Sequence, residues 1–420
     1  MFADPRYLLR QVFQRAVEAA DPYQAILRHL PDRPKGRTIV VGAGKAASQM
    51  AAAFERAWNA PVEGCVVARH GPIEPCHSIK VLQAAHPVPD EAGIAGANAL
   101  LQQVQGLHEE DLVIALISGG GSSLLPSPPD GFSLVDEAAL NRALLASGAP
   151  ISAMNVVRAH FSTIKAGRLA AVAYPARVVS LIVSDVPGDH AAFVASGPTV
   201  PDHMSAEAAL QIIRDYRLEL APAMLAEIAA AKVPDPTSQH FARNSVHIIA
   251  SAAVSLTAAA EAARNLGVEA VILSDSIEGE AKEIGLMHAA LAREVALKNN
   301  PFKKPVLLLS GGETTVTLGA GTAGKGGRNT EFLLSFALAI DGIAGINALA
   351  ADTDGIDGSE NNAGAYCDST TAARLRQTGR DGRSFLVAHN AYEAFERIGN
   401  LFVPGPTGTN VNDLRAILIE

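Results

Sequence analysis

Five times along the chain, a run of β-branched and aliphatic residues stops at a loop of Gly, Ser or Asp and leads into a helix-forming stretch. The runs are "RTIVVGAGKAASQM", "DLVIALISGGGSSLL", "RVVSLIVSDVPGD", "KPVLLLSGGETTVT" and "INALAADTDGIDGS". Apolar runs without polar alternation are buried on both faces, which happens when helices cross over between parallel neighbours. Helical stretches such as "SAAVSLTAAAEAARNLG" do lie between them. The pattern therefore predicts an α/β protein with mostly parallel sheets. It also predicts where function sits, because open parallel sheets bind ligands outside the carboxyl ends of their strands. All five loops fall there.

At 420 residues the chain is long enough for more than one core. The reading is two three-layer α/β domains around an interdomain cleft. The aperiodic stretch "AAAKVPDPTSQHFARNS" serves as linker, giving residues 1–235 as a Rossmann-like N-terminal domain and 236–420 as a C-terminal α/β domain. Near the start, Asp4 and Pro5 read as an N-cap and first helical residue. Leu9, Val12, Phe13, Ala16 and Val17 then recur at helical spacing. Arg10, Arg15 and Glu18 interrupt any signal-peptide core, and no apolar run approaches a membrane span. The net charge of −9 argues against nucleic acid or an anionic membrane as partner. Cys65, Cys76 and Cys367 are scattered and offer neither a disulfide framework nor a metal pair, so a cytoplasmic protein is expected.

The loops carry the chemistry. Gly42-Ala43-Gly44-Lys45-Ala46-Ala47 follows a strand, opens a helix and matches G-x-G-x-x-A, a dinucleotide fingerprint. The next strand, "GCVVARHG", ends in Arg69-His70 where a ribose-binding acid belongs, which weakens NAD and leaves NADP open. Lys45 at a helix N-terminus is unfavourable for the dipole and calls for an anionic partner. Ser118-Gly119-Gly120-Gly121-Ser122 permits a backbone nest for an anion, and Ser310-Gly311-Gly312-Glu313 has the same form. Ser184, Asp185, Gly188 and Asp189 place two carboxylates at another strand end, suited to Mg²⁺ or to taking a proton. Asp352, Asp354 and Asp357 stand at a fifth; taken singly, such aspartates most often cap turns. His86, His160 and His389 are scattered and read as hydrogen-bonded core or surface histidines. Within "LGAGTAGKGGR", Gly319, Gly324 and Lys325 meet the P-loop spacing, but Gly326 replaces the hydroxyl residue that holds Mg²⁺.

Taken together, "VVGAGKAA", "HPVPDEAG", "LISGGGSSLLP", "VVRAHFSTIKAGRLA", "SDVPGD", "ASGPTV", "LSGGETTV", "GKGGRNTEF", "ADTDGIDG" and "GPTGTNVNDL" closely resemble the glycerate 2-kinases whose C-terminal part is called the MOFRL domain. The resemblance spans nearly the whole chain. It implies phosphoryl transfer from ATP, with Mg²⁺, to the 2-hydroxyl of D-glycerate. Gly324–Asn329 matches that family's G-x-G-G-R-N loop, so the P-loop spacing comes from the inserted "GAGTA". The chain departs from the family at Thr330 (usually Gln), at Ala166 (a Gly), and at His389-Asn390-Ala391-Tyr392 (often N-D-S-Y).

On this reading Lys45 and Arg328 neutralise the developing charge as the cleft closes. Asp189, or else Asp185, orients or deprotonates the 2-hydroxyl. Gly42, Gly44, Ser118–Ser122 (Ser118, Gly119, Gly120, Gly121, Ser122), Ser310, Gly311, Gly312 and Asn329 hold nucleotide or substrate. Glu313 and Asp354 are the expected Mg²⁺ ligands, and a homodimer is compatible with the sequence. The rivals are an NAD(P)H-dependent hydroxypyruvate reductase and a non-catalytic nucleotide-sensing module.

Overall fold

The first helix forms over Pro5–Ala19, and Asp4 caps it: its Oδ1 accepts from the N–H groups of Arg6 (3.0 Å) and Tyr7 (3.1 Å). Leu8, Leu9, Val12, Phe13 and Ala16 are buried, in one cluster with Leu256, Ala259, Ala260 and Ala263 of the helix Ala252–Asn265. This packing ties the start of the chain to its later half. The computed structural model describes residues 4–318 and 324–420; Gly319 and the rest of the expected insertion lie outside them. Its chain divides into one unit of residues 22–249 and another of residues up to Asp21 with Ala250–Glu420.

The division falls after Ile249, where the sequence suggested residue 235. The reason is local. Phe241 is buried in the core of the earlier unit, the Asn244 Oδ1 accepts from Val178 N (2.8 Å), and the Lys232 carbonyl accepts from Arg168 (3.0 Å). A stretch whose prolines read as a linker is thus pinned to the sheet beside it.

The unit 22–249 is built on β1 (Thr38–Ala43), β2 (Glu63–Arg69), β3 (Lys80–Ala84), β4 (Leu112–Ser118), β5 (Arg177–Val183) and β6 (Ser245–Ala250). Their order is β3-β2-β1-β4-β5-β6, and the pairs β2–β3, β1–β2, β1–β4 and β4–β5 are parallel. All residues of β1 and β4 are buried; burying each large aliphatic side chain contributes about 1.5–3 kcal/mol. The order reverses between β1 and β4. Such a switch point opens a crevice at the carboxyl ends of the strands.

The other unit holds β7 (Glu269–Ser274), a short parallel pair of β8 (Gly279–Glu280) with β10 (Thr314–Thr315), β9 (Val306–Gly312), β11 (Ile346–Asp352), β12 (Gly364–Asp368), β13 (Leu401–Phe402) and β14 (Asp413–Ile419). The large sheet runs β13-β12-β11-β14-β9-β7. Here the expectation of mostly parallel pairing needs correction. Only β7–β9 is parallel, while β9–β14, β14–β11, β11–β12 and β12–β13 are antiparallel. An apolar run reports that a strand is buried, not which way it points. The terminal strand β14 inserts between β9 and β11, so Asp413 lies beside Gly312 and Asp352. Among the described residues, no helix is long and apolar enough to cross a membrane.

Candidate active site

At the switch point the loops after β1 and β4 are laced together. Lys45 N donates to the Gly119 carbonyl (2.8 Å) and Ala46 N to the Ser118 Oγ (3.1 Å). A Cβ on Gly44 would stand 2.1 Å from that same Oγ, and one on Gly42 2.3 Å from the Leu116 carbonyl oxygen. Ser118 and these two glycines therefore set the spacing of the loops. Gly120 adopts φ +80°, a conformation costly for other residues, and a Cβ there would meet His86 Nε2 at 2.9 Å and Lys45 Cγ at 3.0 Å. A Cβ on Gly119 would come within 1.8 Å of Asp185 Oδ2. Gly42, Gly44, Lys45, Ser118, Gly119, Gly120 and Asp185 are thus brought together.

His86 belongs to the same constellation, although sequence spacing gave no reason to single it out. Burial, reinforced by the Lys45 and Arg69 charges, holds its pKa below the usual histidine range. Lys45, Gln49, Arg69, His70 and His86 border a cavity of about 320 Å³.

Further along, the Ser122 Oγ meets the Ser196 Oγ at 2.7 Å, and the Ser196 hydroxyl reaches Asn155 Oδ1 (3.3 Å). Ala195 and Ser196 have φ of 54° and 58°, Ala166 55° and Asp189 55°. Left-handed non-glycine residues store strain and concentrate at functional sites. The family's glycine at the position of Ala166 has a physical reason in that φ. Asp189 lies in the turn after β5, half-buried.

In the other unit, Arg328 opens the helix Arg328–Ala339 and grips three carboxylates. Its Nε donates to Asp413 Oδ1 (2.7 Å), Nη1 to Glu313 Oε1 (2.6 Å) and Nη2 to Asp352 Oδ2 (2.6 Å). Burial opposes the Arg328 charge, but Asp413, Asp352 and Glu313 outweigh it and raise the pKa. Burial raises the Asp352 pKa, against the pull of Arg328. Asp413, unheralded in the sequence except as part of "NVNDL", is the hub. Its Oδ1 also takes Asn329 Nδ2 (2.7 Å), and its Oδ2 takes Arg415 Nη2 (2.6 Å).

Ser310, Gly311, Gly312 and Asn329 also lie in this unit. The Ser310 hydroxyl bonds His288 Nε2 (3.0 Å) within the core, and a Cβ on Gly312 would lie 2.3 Å from Ile277 N. Ile277 N also donates to the Gly311 carbonyl (3.0 Å), so this loop packs closely on the chain's own backbone. Asn329 is fully buried, and its Nδ2 donates to Asp413 and Asp357, so it supports the Arg328 cluster. The residues that follow the insertion are packed differently from a phosphate loop. Asp357 accepts from Asn329 N (2.9 Å) and Thr330 N (2.8 Å), so a carboxylate of the chain already occupies the helix N-terminus where a P-loop would hold phosphate. Lys325 turns away to Glu360 (3.3 Å), and its N–H donates to Asn390 Oδ1 (2.9 Å). At the N-D-S-Y departure, His389 Nδ1 pairs with buried Glu331 at 3.0 Å.

Among the described residues, no group of three or more His, Cys, Asp or Glu side chains is placed to hold a metal ion alone. Asp354 Oδ1 accepts from Ile356 N (2.8 Å), and Glu313 is half-exposed beside Arg328.

Residues 8–230 match a domain of unknown function, DUF4147, and residues 306–413 match the MOFRL family. The D-glycerate 2-kinase of Thermotoga maritima is 39% identical over 98% of this chain and 98% of its own. The chain belongs to the MOFRL-domain glycerate kinase family. The crystal structure of the Thermotoga maritima glycerate kinase superposes with a TM-score of 0.89 and 37% identity, covering 99% of this chain and 100% of that one. A protein of Agrobacterium vitis whose name proposes a hydroxypyruvate reductase is 50% identical, over 99% of this chain and 94% of its own. Both names thus occur among relatives of full length.

Proposed function

We propose that the protein is an ATP-dependent kinase that phosphorylates the 2-hydroxyl of D-glycerate, giving 2-phosphoglycerate and ADP. The observation that carries this is the convergence of Lys45, His86, Asp185 and the Ser118–Ser122 loop at the switch point of a Rossmann-like sheet, in a chain of this family. Phosphoryl transfer needs charge neutralisation and an aligned hydroxyl more than covalent chemistry. Lys45 supplies an exposed positive charge. Arg328 commits three of its five N–H groups to carboxylates, keeping two for phosphate oxygens. Asp189, with Asp185 as alternative, takes the hydroxyl proton.

Magnesium that arrives with a nucleotide needs only one or two carboxylates besides phosphate oxygens and water. The all-oxygen set at the strand ends suits such a hard cation. Glu313 and Asp354 would hold it, and it would supply further charge neutralisation. The unpaired Cys65, Cys76 and Cys367 support a cytoplasmic protein, and a homodimer is consistent with the family reading.

The reductase reading draws on the G-x-G-x-x-A loop and on Arg69 at the end of β2, where an NADP phosphate can bind. One experiment separates the two. Purified protein with D-glycerate, ATP and Mg²⁺ should release ADP, and should not oxidise NADH or NADPH when given hydroxypyruvate. Nicotinamide oxidation without ADP release sinks the kinase reading.

A further inference from the structure

We propose that the cavity at the ends of β1, β2 and β3 is the carboxylate-binding subsite for the hydroxy acid, with Arg69 as its main specificity residue beside Lys45 and His86. The proposal rests on the kinase reading and names the substrate end that this unit recognises.

The cavity, about 320 Å³, is bordered by Lys45, Arg69, His70 and His86 and by no Asp or Glu. Among the described residues, neither Lys45 nor Arg69 forms an ion pair, whereas Arg328, Arg376 and Arg397 all do. His70 reaches Asp90 only at 3.5 Å, outside the lining. Like charges gathered without counter-charge repel, and an anionic ligand relieves that repulsion. The remaining walls are Ser48, Gln49, Ala68, Pro72 and Ala85, with no aromatic carbon ring on which a nucleobase could stack. The volume lies at the low end for small-molecule sites, roughly 300–1,000 Å³. Both features favour a compact anion over a nucleoside.

A guanidinium matches a carboxylate with two parallel hydrogen bonds, which an ammonium cannot do. Arg69 ends β2, the place where a dinucleotide fold carries an acid for ribose hydroxyls, so the charge there is reversed. His86, its pKa lowered by burial and by these two cations, offers a neutral ring that adds a hydrogen bond without adding to the repulsion.

The test is isothermal titration calorimetry on the full-length protein and on Arg69→Gln and Arg69→Lys. The probes are D-glycerate, glycerol, ATP and NADPH, and circular dichroism confirms folding; the exposed Arg69 makes both variants well tolerated. D-Glycerate should bind and glycerol should not. Arg69→Gln should weaken D-glycerate by about ten- to a hundredfold, the scale of a lost charged hydrogen bond, with ATP unchanged and partial recovery in Arg69→Lys. Unchanged D-glycerate binding in Arg69→Gln overturns the proposal, as does a loss confined to ATP or NADPH, or a wild-type protein that does not bind D-glycerate. Arg69-dependent D-glycerate binding without phosphorylated product would leave the subsite standing and remove the kinase reading. Product formation with an unchanged D-glycerate KM in Arg69→Gln would do the reverse.

Discussion

Replacing Arg328 with lysine keeps the charge and removes the fork. In the structure three different nitrogens serve three carboxylates, two of them buried: the Asp352 side chain is 5% exposed and the Asp413 side chain 0%. The Glu313 contact is half-exposed and is worth about 0–1 kcal/mol. Arg328→Ala leaves both buried carboxylates without this cation and should destabilise by about 3–5 kcal/mol. A lysine ammonium reaches one of them and forfeits a charged hydrogen bond to the other, about 1.5–3 kcal/mol. Activity should fall further than stability, because the planar geometry that holds the remaining N–H groups in place is gone. The assay is urea unfolding of both variants, followed by kcat/KM for ATP and D-glycerate under conditions where each is folded. Both should lose on the order of a hundredfold in kcat/KM, the lysine variant nearly as much as the alanine one. A lysine variant with the wild-type unfolding midpoint and full activity would refute the geometric argument.

Lys45→Ala should lower kcat/KM by roughly a hundredfold. The side chain is exposed, so stability should change by less than about 0.5 kcal/mol; normal steady-state rates would remove Lys45 from the mechanism. Gly119→Ala places a Cβ 1.8 Å from Asp185 Oδ2 and should abolish most activity while costing about 1–3 kcal/mol of stability. Full turnover in that variant would show that the position of Asp185 does not matter. Asp357 is pushed up by burial from 3.8 to about 6, so the stability it contributes is complete below the lower value and is lost as pH rises through the upper one. Between about pH 7 and 5, wild type should therefore gain stability relative to Asp357→Asn on acidification; urea unfolding at each pH checks this, and stability of wild type relative to Asp357→Asn that rises with pH contradicts it.

Apolar runs ending in glycine or aspartate loops marked β1, β4, β5, β9 and β11 in the sequence, and with them the sheet edge where function lies. Strand direction was not legible, because burial leaves the same apolar signature in parallel and antiparallel strands; β14 and β12 show this. The first helix was readable from Asp4 and Pro5, yet nothing local announced that it packs with residues 252–265. In the site, Lys45, Asp185 and Gly119–Gly120 were legible because their residue types are odd for their positions. His86 and Asp413 were not. Each acts through neighbours distant in sequence, His86 through Lys45 and Gly120, and Asp413 through Arg328 and Arg415. Ser310–Gly312 pack against the chain's own backbone, and no local signal separates a glycine placed for packing from one placed for an anion.

This chain is a kinase that transfers phosphate to the 2-hydroxyl of D-glycerate. Phosphorus NMR of the product made from D-glycerate, ATP and Mg²⁺ tests it most directly. A phosphate ester at the 2-position couples to a single proton on its carbon and gives a doublet, whereas one at the 3-position couples to two and gives a triplet. The expected spectrum is the doublet, growing in step with ADP. A triplet would place the attack on the other hydroxyl, and no new phosphorus signal alongside NADH or NADPH oxidation by hydroxypyruvate would contradict the account outright.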